Sequence, residues 1–141
     1  LYENNLSKLP ETFGSLASLE ILDVSLNTLQ TLHASLGNLK NLEELYIFNN
    51  GFKAVPESVD MLDHLIRIEI QNNPITEPPK SFLGMEKLQV LVIDKFQKYR
   101  FEEILTSLES KNVKVITAKE SETFVYLTTY PNPDFDYYYE K

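Results

Sequence analysis

Leu42-Glu43-Glu44-Leu45-Tyr46-Ile47-Phe48-Asn49-Asn50-Gly51-Phe52 is the stretch that decides the fold. Its apolar positions and its second asparagine recur on both sides. Upstream stands Leu19-x-x-Leu22-x-Val24-x-x-Asn27-x-Leu29, and downstream Leu65-x-x-Ile68-x-Ile70-x-x-Asn73-x-Ile75. The asparagines lie 23 residues apart, from 50 − 27 and 73 − 50. One period earlier is Asn4, flanked by Leu1 and Leu6. One period later Leu88, Leu91 and Ile93 hold the register, and Phe96 stands where the asparagine is due.

Alternating apolar residues such as Leu22 and Val24 direct one face of a short strand inward. A single repeat has too few leucines to bury them alone, so the repeats must stack. Stacked strands form a parallel sheet with about 4.8 Å between neighbours. The asparagine follows each strand, where the chain turns inward. Its amide can both donate to and accept from backbone groups that would otherwise be buried unpaired. Asn4, Asn27, Asn50 and Asn73 are therefore expected to form an internal, structural ladder.

The pattern L-x-x-L-x-L-x-x-N-x-L resembles the leucine-rich-repeat family over residues 1–98, in its 23-residue class. Leu9-Pro10, Val55-Pro56 and Pro78-Pro79 occupy equivalent places in the second half of each repeat, and His33 replaces the proline in the second. The resemblance implies an α/β leucine-rich-repeat solenoid. Its parallel sheet would be curved and lie on the concave face. The convex side would be irregular or short-helical, and a helix and a strand would form the C-terminal cap. It also implies a non-enzymatic role in protein–protein recognition.

The repeats give way near the end. Phe101, Ile104, Leu105 and Leu108 fall on one helical stripe, predicting a helix over residues 100–111 with Asn112 as its stop. Val113-Lys114-Val115-Ile116 alternates like a final strand. Terminal solenoid layers need a modified cap, and Phe96 is expected to fill the volume left by the missing asparagine. The expected division is residues 1–98 for the repeats, the first truncated; 99–120 for the cap helix and final strand; and 121–141 for an edge strand and an aromatic, acidic tail.

The whole chain sets further bounds. It has 141 residues, a formal net charge of −8 and no cysteine. The charge disfavours nucleic acid, which is bound largely by cations neutralising phosphates, and equally disfavours anionic lipid. The missing cysteines exclude disulfides and thiolate metal sites. They also argue against the extracellular animal members of the family, leaving a cytoplasmic protein or a bacterial secreted or cell-surface one. No apolar run approaches the roughly 20 residues of a membrane helix. The chain opens in mid-repeat at Leu1, as though it began inside a longer protein.

Side chains between the inward leucines face out on the sheet. Across neighbouring repeats they read Ile21, Glu44, Arg67, Val90; then Asp23, Tyr46, Glu69, Val92; then Tyr2, Ser25, Phe48, Gln71. Tyr46 and Phe48 are aromatics in a polar setting, the composition protein-binding hot spots favour. The candidate protein-binding set is Tyr46, Phe48, Asp23, Glu44, Arg67 and Glu69, with Glu44 and Arg67 expected to pair across strands. The partner is expected to be a protein whose identity the sequence does not carry.

Catalysis finds little support. Asp23 and Glu69 share a row, but two repeats separate them by roughly 10 Å, with no third group nearby. His33 and His64 occupy different repeat positions, so neither a triad nor a metal pair is expected. The four glycines form no phosphate loop, and the acidic groups lack calcium-ligand spacing. No cofactor or metal is expected. A different reading is a structural spacer or cell-surface adhesin segment of a longer repeat protein. A third is the binding arm of an enzyme with its catalytic domain elsewhere.

Overall fold

The computed structural model describes residues 1–118. Five short strands, β1 (Ile21–Asp23), β2 (Glu44–Tyr46), β3 (Arg67–Glu69), β4 (Val90–Ile93) and β5 (Lys114–Thr117), form one parallel sheet in chain order. Leu22, Leu45, Ile68, Leu91 and Val115 pair across it in one row. The return path runs through 3₁₀ turns at Glu11–Ser15, Ala34–Asn38, Glu57–Met61 and Lys80–Gly84. Pro10, Pro56 and Pro79 precede three of these, where a fixed φ presets entry into the turn. His33 holds the fourth place, and its Nδ1 accepts from the Ser35 N–H at 3.1 Å.

The core is a stack of layers. The strand residues Leu22, Leu45, Ile68 and Leu91 meet Phe13, Leu36, Val59 and Phe82 from the 3₁₀ turns, with Leu29, Phe52 and Ile75 between them. Burying one such side chain stabilises by roughly 1.5–3 kcal/mol. The turns pack closely. A Cβ at Gly14 would lie 2.4 Å from the Ser35 carbonyl oxygen, and one at Gly37 would lie 2.7 Å from Met61 Sδ.

The asparagine ladder is present from Asn27 onward. Asn50 Oδ1 accepts from the Leu29 N–H at 3.0 Å, and its Nδ2 donates to the Val24 carbonyl at 3.0 Å and the Ile47 carbonyl at 3.1 Å. Asn27 and Asn73 repeat these bonds one layer to either side. Asn4 departs from the expectation. It is exposed and bonds only to the nearby carbonyls of Leu1 and Tyr2, because no earlier layer in the described chain offers it partners. The residue before each asparagine, Glu3, Leu26, Asn49 and Asn72, has a positive φ of 51–57°, which turns the chain sharply inward.

The end of the ladder also corrects the sequence reading. Phe96 is only half-buried; the vacated place is taken by Gln97. Its Nε2 donates to the Ile70 carbonyl at 3.1 Å and more weakly to that of Asn73 at 3.4 Å. The Ile70 carbonyl is the acceptor a further asparagine would have reached. The one-residue displacement follows from a helix that begins earlier than the apolar stripe suggests. α1 (Lys95–Arg100) and α2 (Glu102–Ser110) replace the single helix expected over 100–111, so the expected boundary at 98/99 falls inside α1. Asp94 caps α1 reciprocally: its Oδ1 accepts from the Gln97 N–H at 2.9 Å, while Gln97 Oε1 accepts from the Asp94 N–H at 3.1 Å. Asp94 Oδ2 also accepts from the Asn72 N–H at 2.9 Å, which ties the cap to the preceding layer. Burial pushes the Asp94 carboxyl up, opposed by the N–H groups of Gln97, Asn72 and Phe96 that it accepts from.

α2 closes the core with Ile104, Leu105 and Leu108, all buried. It ends as expected at Asn112, whose φ is 66°. The Asn112 N–H reaches the Glu109 carbonyl and the Val113 N–H reaches that of Leu108, the paired bonds of a left-handed helix stop. β5 then pairs with β4 from Lys114 to Thr117. The edge strand and tail expected over residues 121–141 lie outside the described residues.

Candidate functional site

Each strand presents its intervening side chains on the open sheet face, and the register brings them into rows. Ile21, Glu44, Arg67, Val90 and Lys114 make one row; Asp23, Tyr46, Glu69, Val92 and Ile116 make the next. Past the strand ends the parallel pairing continues, with the Leu26 N–H on the Phe48 carbonyl and the Asn49 N–H on that of Gln71. Ser25, Phe48 and Gln71 thereby form a third row. All six residues singled out from the sequence lie on this one face.

Their side chains are linked differently from the expectation. Arg67 does not pair with Glu44. Its Nε and Nη2 both donate to Glu69 Oε1, at 2.9 and 2.5 Å, along the same strand. The guanidinium lies over the Tyr46 ring, 5.9 Å from its centroid. Glu44 instead accepts from the Tyr46 hydroxyl. Glu44, Tyr46, Arg67 and Glu69 occupy a two-by-two block of outward positions on β2 and β3, and each carboxylate is engaged by the other residue of its own strand while the guanidinium lies over the tyrosine ring. Gln71 Nε2 extends the chain of bonds by donating to Glu69 Oε2 at 3.1 Å.

Tyr46 and Phe48 are half-buried rather than fully exposed, and Glu69 and Gln71 are buried. The sheet face is therefore an ordered surface with its polar groups already oriented. Burial, the hydrogen bond to Glu44 and the charge of Glu44 push the Tyr46 phenol up to about 12. Asp23 is half-buried, and its Oδ1 accepts from the Ser25 N–H at 3.0 Å, steadying the turn after β1. Gln71, together with the ladder role of Gln97, was not singled out from the sequence. Gln71 was legible only as a member of the Phe48 row, and its link to Glu69 depends on side-chain direction.

The two histidines are engaged separately. His33 bonds to Ser35 and approaches Glu11 at 3.8 Å, while His64 Nδ1 donates to the Lys40 carbonyl at 2.8 Å. Among the described residues no group of three or more His, Cys, Asp or Glu is placed to hold a metal ion. No helix there is long and apolar enough to cross a membrane.

The geometry thus defines a class: a stacked-repeat solenoid with an asparagine ladder inside and an open parallel-sheet face outside. A family profile described as Leucine rich repeat matches residues 1–52. Among solved structures, the chain is similar to an LRR protein of Leptospira interrogans. The identity is 32% and the TM-score 0.71, over 82% of this chain and 29% of that one. This chain therefore spans less than a third of the length of that protein. No match was found among curated proteins. The profile match and the structural likeness support membership of the leucine-rich-repeat family. That family membership suggests a protein-interaction module of a typically non-enzymatic kind.

Proposed function

We propose that this chain recognises a protein ligand on its concave sheet face, without catalysing a reaction. Tyr46 and Phe48 form the centre of the surface, with Asp23, Glu44, Arg67 and Glu69 around them. The observation that carries the reading is the Glu44–Tyr46–Arg67–Glu69 network. It fixes an aromatic in one orientation on an open surface, which lowers the ordering cost of binding. Amphipathic aromatics and arginine are also the side chains that dominate interface energetics.

The test compares wild type with a Tyr46→Ser, Phe48→Ser double variant whose circular dichroism is unchanged, both used as bait for proteins of the source organism and its surroundings. The proposal expects a partner retained by wild type and lost by the variant. A partner retained equally by both would place binding elsewhere. A second reading, a spacer or cell-surface adhesin segment of a longer repeat protein, rests on the match spanning only 29% of the Leptospira chain. That match also favours a bacterial origin.

A further inference from the structure

The concave face is rich in hydrogen-bond acceptors and poor in donors. Asp23 and Glu44 have no cation paired with them among the described residues, and Glu20 and Glu43, on the approach to the same strands, are exposed carboxylates. Arg67 is the single cation in the outward rows of β1, β2 and β3, and its guanidinium is committed to Glu69 at 2.5 Å. A second, independent feature lies in the adjoining row. Ser25 and Gln71 flank Phe48, each buried, and Ser25 Oγ and Gln71 Oε1 have no hydrogen-bond partner. Gln71 spends its amide nitrogen on Glu69, and its oxygen lies buried without a donor. Leaving a buried polar atom unpaired costs about 1–3 kcal/mol, so a ligand whose docking opens the Phe48 row and brings donors recovers part of that cost.

We infer that the protein ligand of the concave face presents an arginine side chain, seated on Phe48 and Tyr46 between Asp23 and Glu44. This inference rests on the binding role proposed above and names the chemistry of the partner. Arginine meets both features at once. Its planar guanidinium stacks on aromatic faces and carries five donors in a fixed fork, whereas lysine offers a compact charge with no plane to stack. The face already shows the arrangement internally, with Arg67 over Tyr46 and bonded to Glu69. Asp23 stands beside Tyr46 on β1 and Glu44 two residues before it on β2, two further carboxylates around the same ring.

The test uses defined probes on the full chain. Hexa-arginine, hexa-lysine and hexa-glutamate are titrated at low salt by calorimetry, with amide chemical shifts followed in parallel. Two variants carry the same charge change: Asp23→Asn with Glu44→Gln on the concave face, and Glu57→Gln with Asp60→Asn on the convex side. The concave substitutions keep the oxygens that accept from Ser25 and Tyr46, so the fold is retained. The expected result is tighter binding of hexa-arginine than hexa-lysine, none of hexa-glutamate, and about a tenfold loss in the concave variant, the equivalent of one charge-assisted bond. The convex variant is expected to bind like wild type, and the shifts to centre on Phe48. Equal losses in both variants, or equal affinity for the arginine and lysine probes, would overturn the inference. Failure of the inference and failure of the binding role separate cleanly. If a captured partner is lost from the Tyr46→Ser, Phe48→Ser variant but kept by the concave charge variant, only the arginine assignment falls.

Discussion

A tyrosine hydroxyl bonded to a carboxylate is harder to ionise than one bonded to water, and Tyr46 makes the centre of the concave face measurable on that basis. Its phenol is pushed up to about 12 by burial and by Glu44. The folded value lies above the unfolded one of about 10, so the group's contribution to stability is complete below pH 10 and is lost as pH rises from about 10 to about 12. The absorbance titration of wild type minus that of Tyr46→Phe should isolate this one phenol with a midpoint near 12. A midpoint near the ordinary tyrosine value would show that the phenol is neither buried nor bonded to Glu44 as described. Inside the molecule, Asn50→Ala should cost about 1–3 kcal/mol in urea unfolding, because it strands the Leu29 N–H in the core, while the Val24 carbonyl keeps its bond from Asn27 Nδ2. Asn4→Ala, at an exposed site, should change stability by less than about 0.5 kcal/mol. Asn27, Asn50 and Asn73 were legible from spacing alone, while Asn4 shares the spacing without the internal bonds. The Arg67–Glu69 pairing was not legible, because strand periodicity gives the face a side chain occupies but not which neighbour on that face it will choose.

At the scale of elements, the solenoid depends on how closely successive 3₁₀ turns approach and on how the last layer is sealed. Gly14→Ala would drive a methyl into the Ser35 carbonyl, and backbone has little room to give. A loss of about 1–3 kcal/mol is expected from such overpacking, read as a lower denaturant midpoint with an unchanged slope. The seal at the other end rests on Asp94, which caps α1 and holds the Asn72 N–H. Asp94→Ala should cost about 2 kcal/mol, the upper end for a lost cap, and should speed amide exchange in α1 before it does so in β2. The strands, the asparagine register, the α2 stripe and the Asn112 stop could all be read from the sequence, since each follows from a repeat or a local periodicity. The early start of the cap was missed. Asp94-x-x-Gln97 is a capping pair that only reveals its role once Gln97 is seen to serve the Ile70 carbonyl. Phe96, aligned by number with the asparagines, drew attention to the wrong side chain.

Across the whole molecule, each layer buries its leucines only against the next, and the sheet runs unbroken from β1 to β5. Such a stack of closely coupled layers should unfold in one transition, with far-ultraviolet dichroism and the Tyr46 absorbance changing together. The same stacking turns a repeated sequence into one continuous face, and the function proposed for the chain belongs to that face rather than to any single layer. It is tested most directly by placing a photo-crosslinking phenylalanine analogue at position 48 and, as a control, at the exposed convex residue Met61. Irradiation in the presence of proteins from the native surroundings should give a discrete adduct from position 48 and none from position 61. An adduct from position 61 alone would contradict a concave binding face.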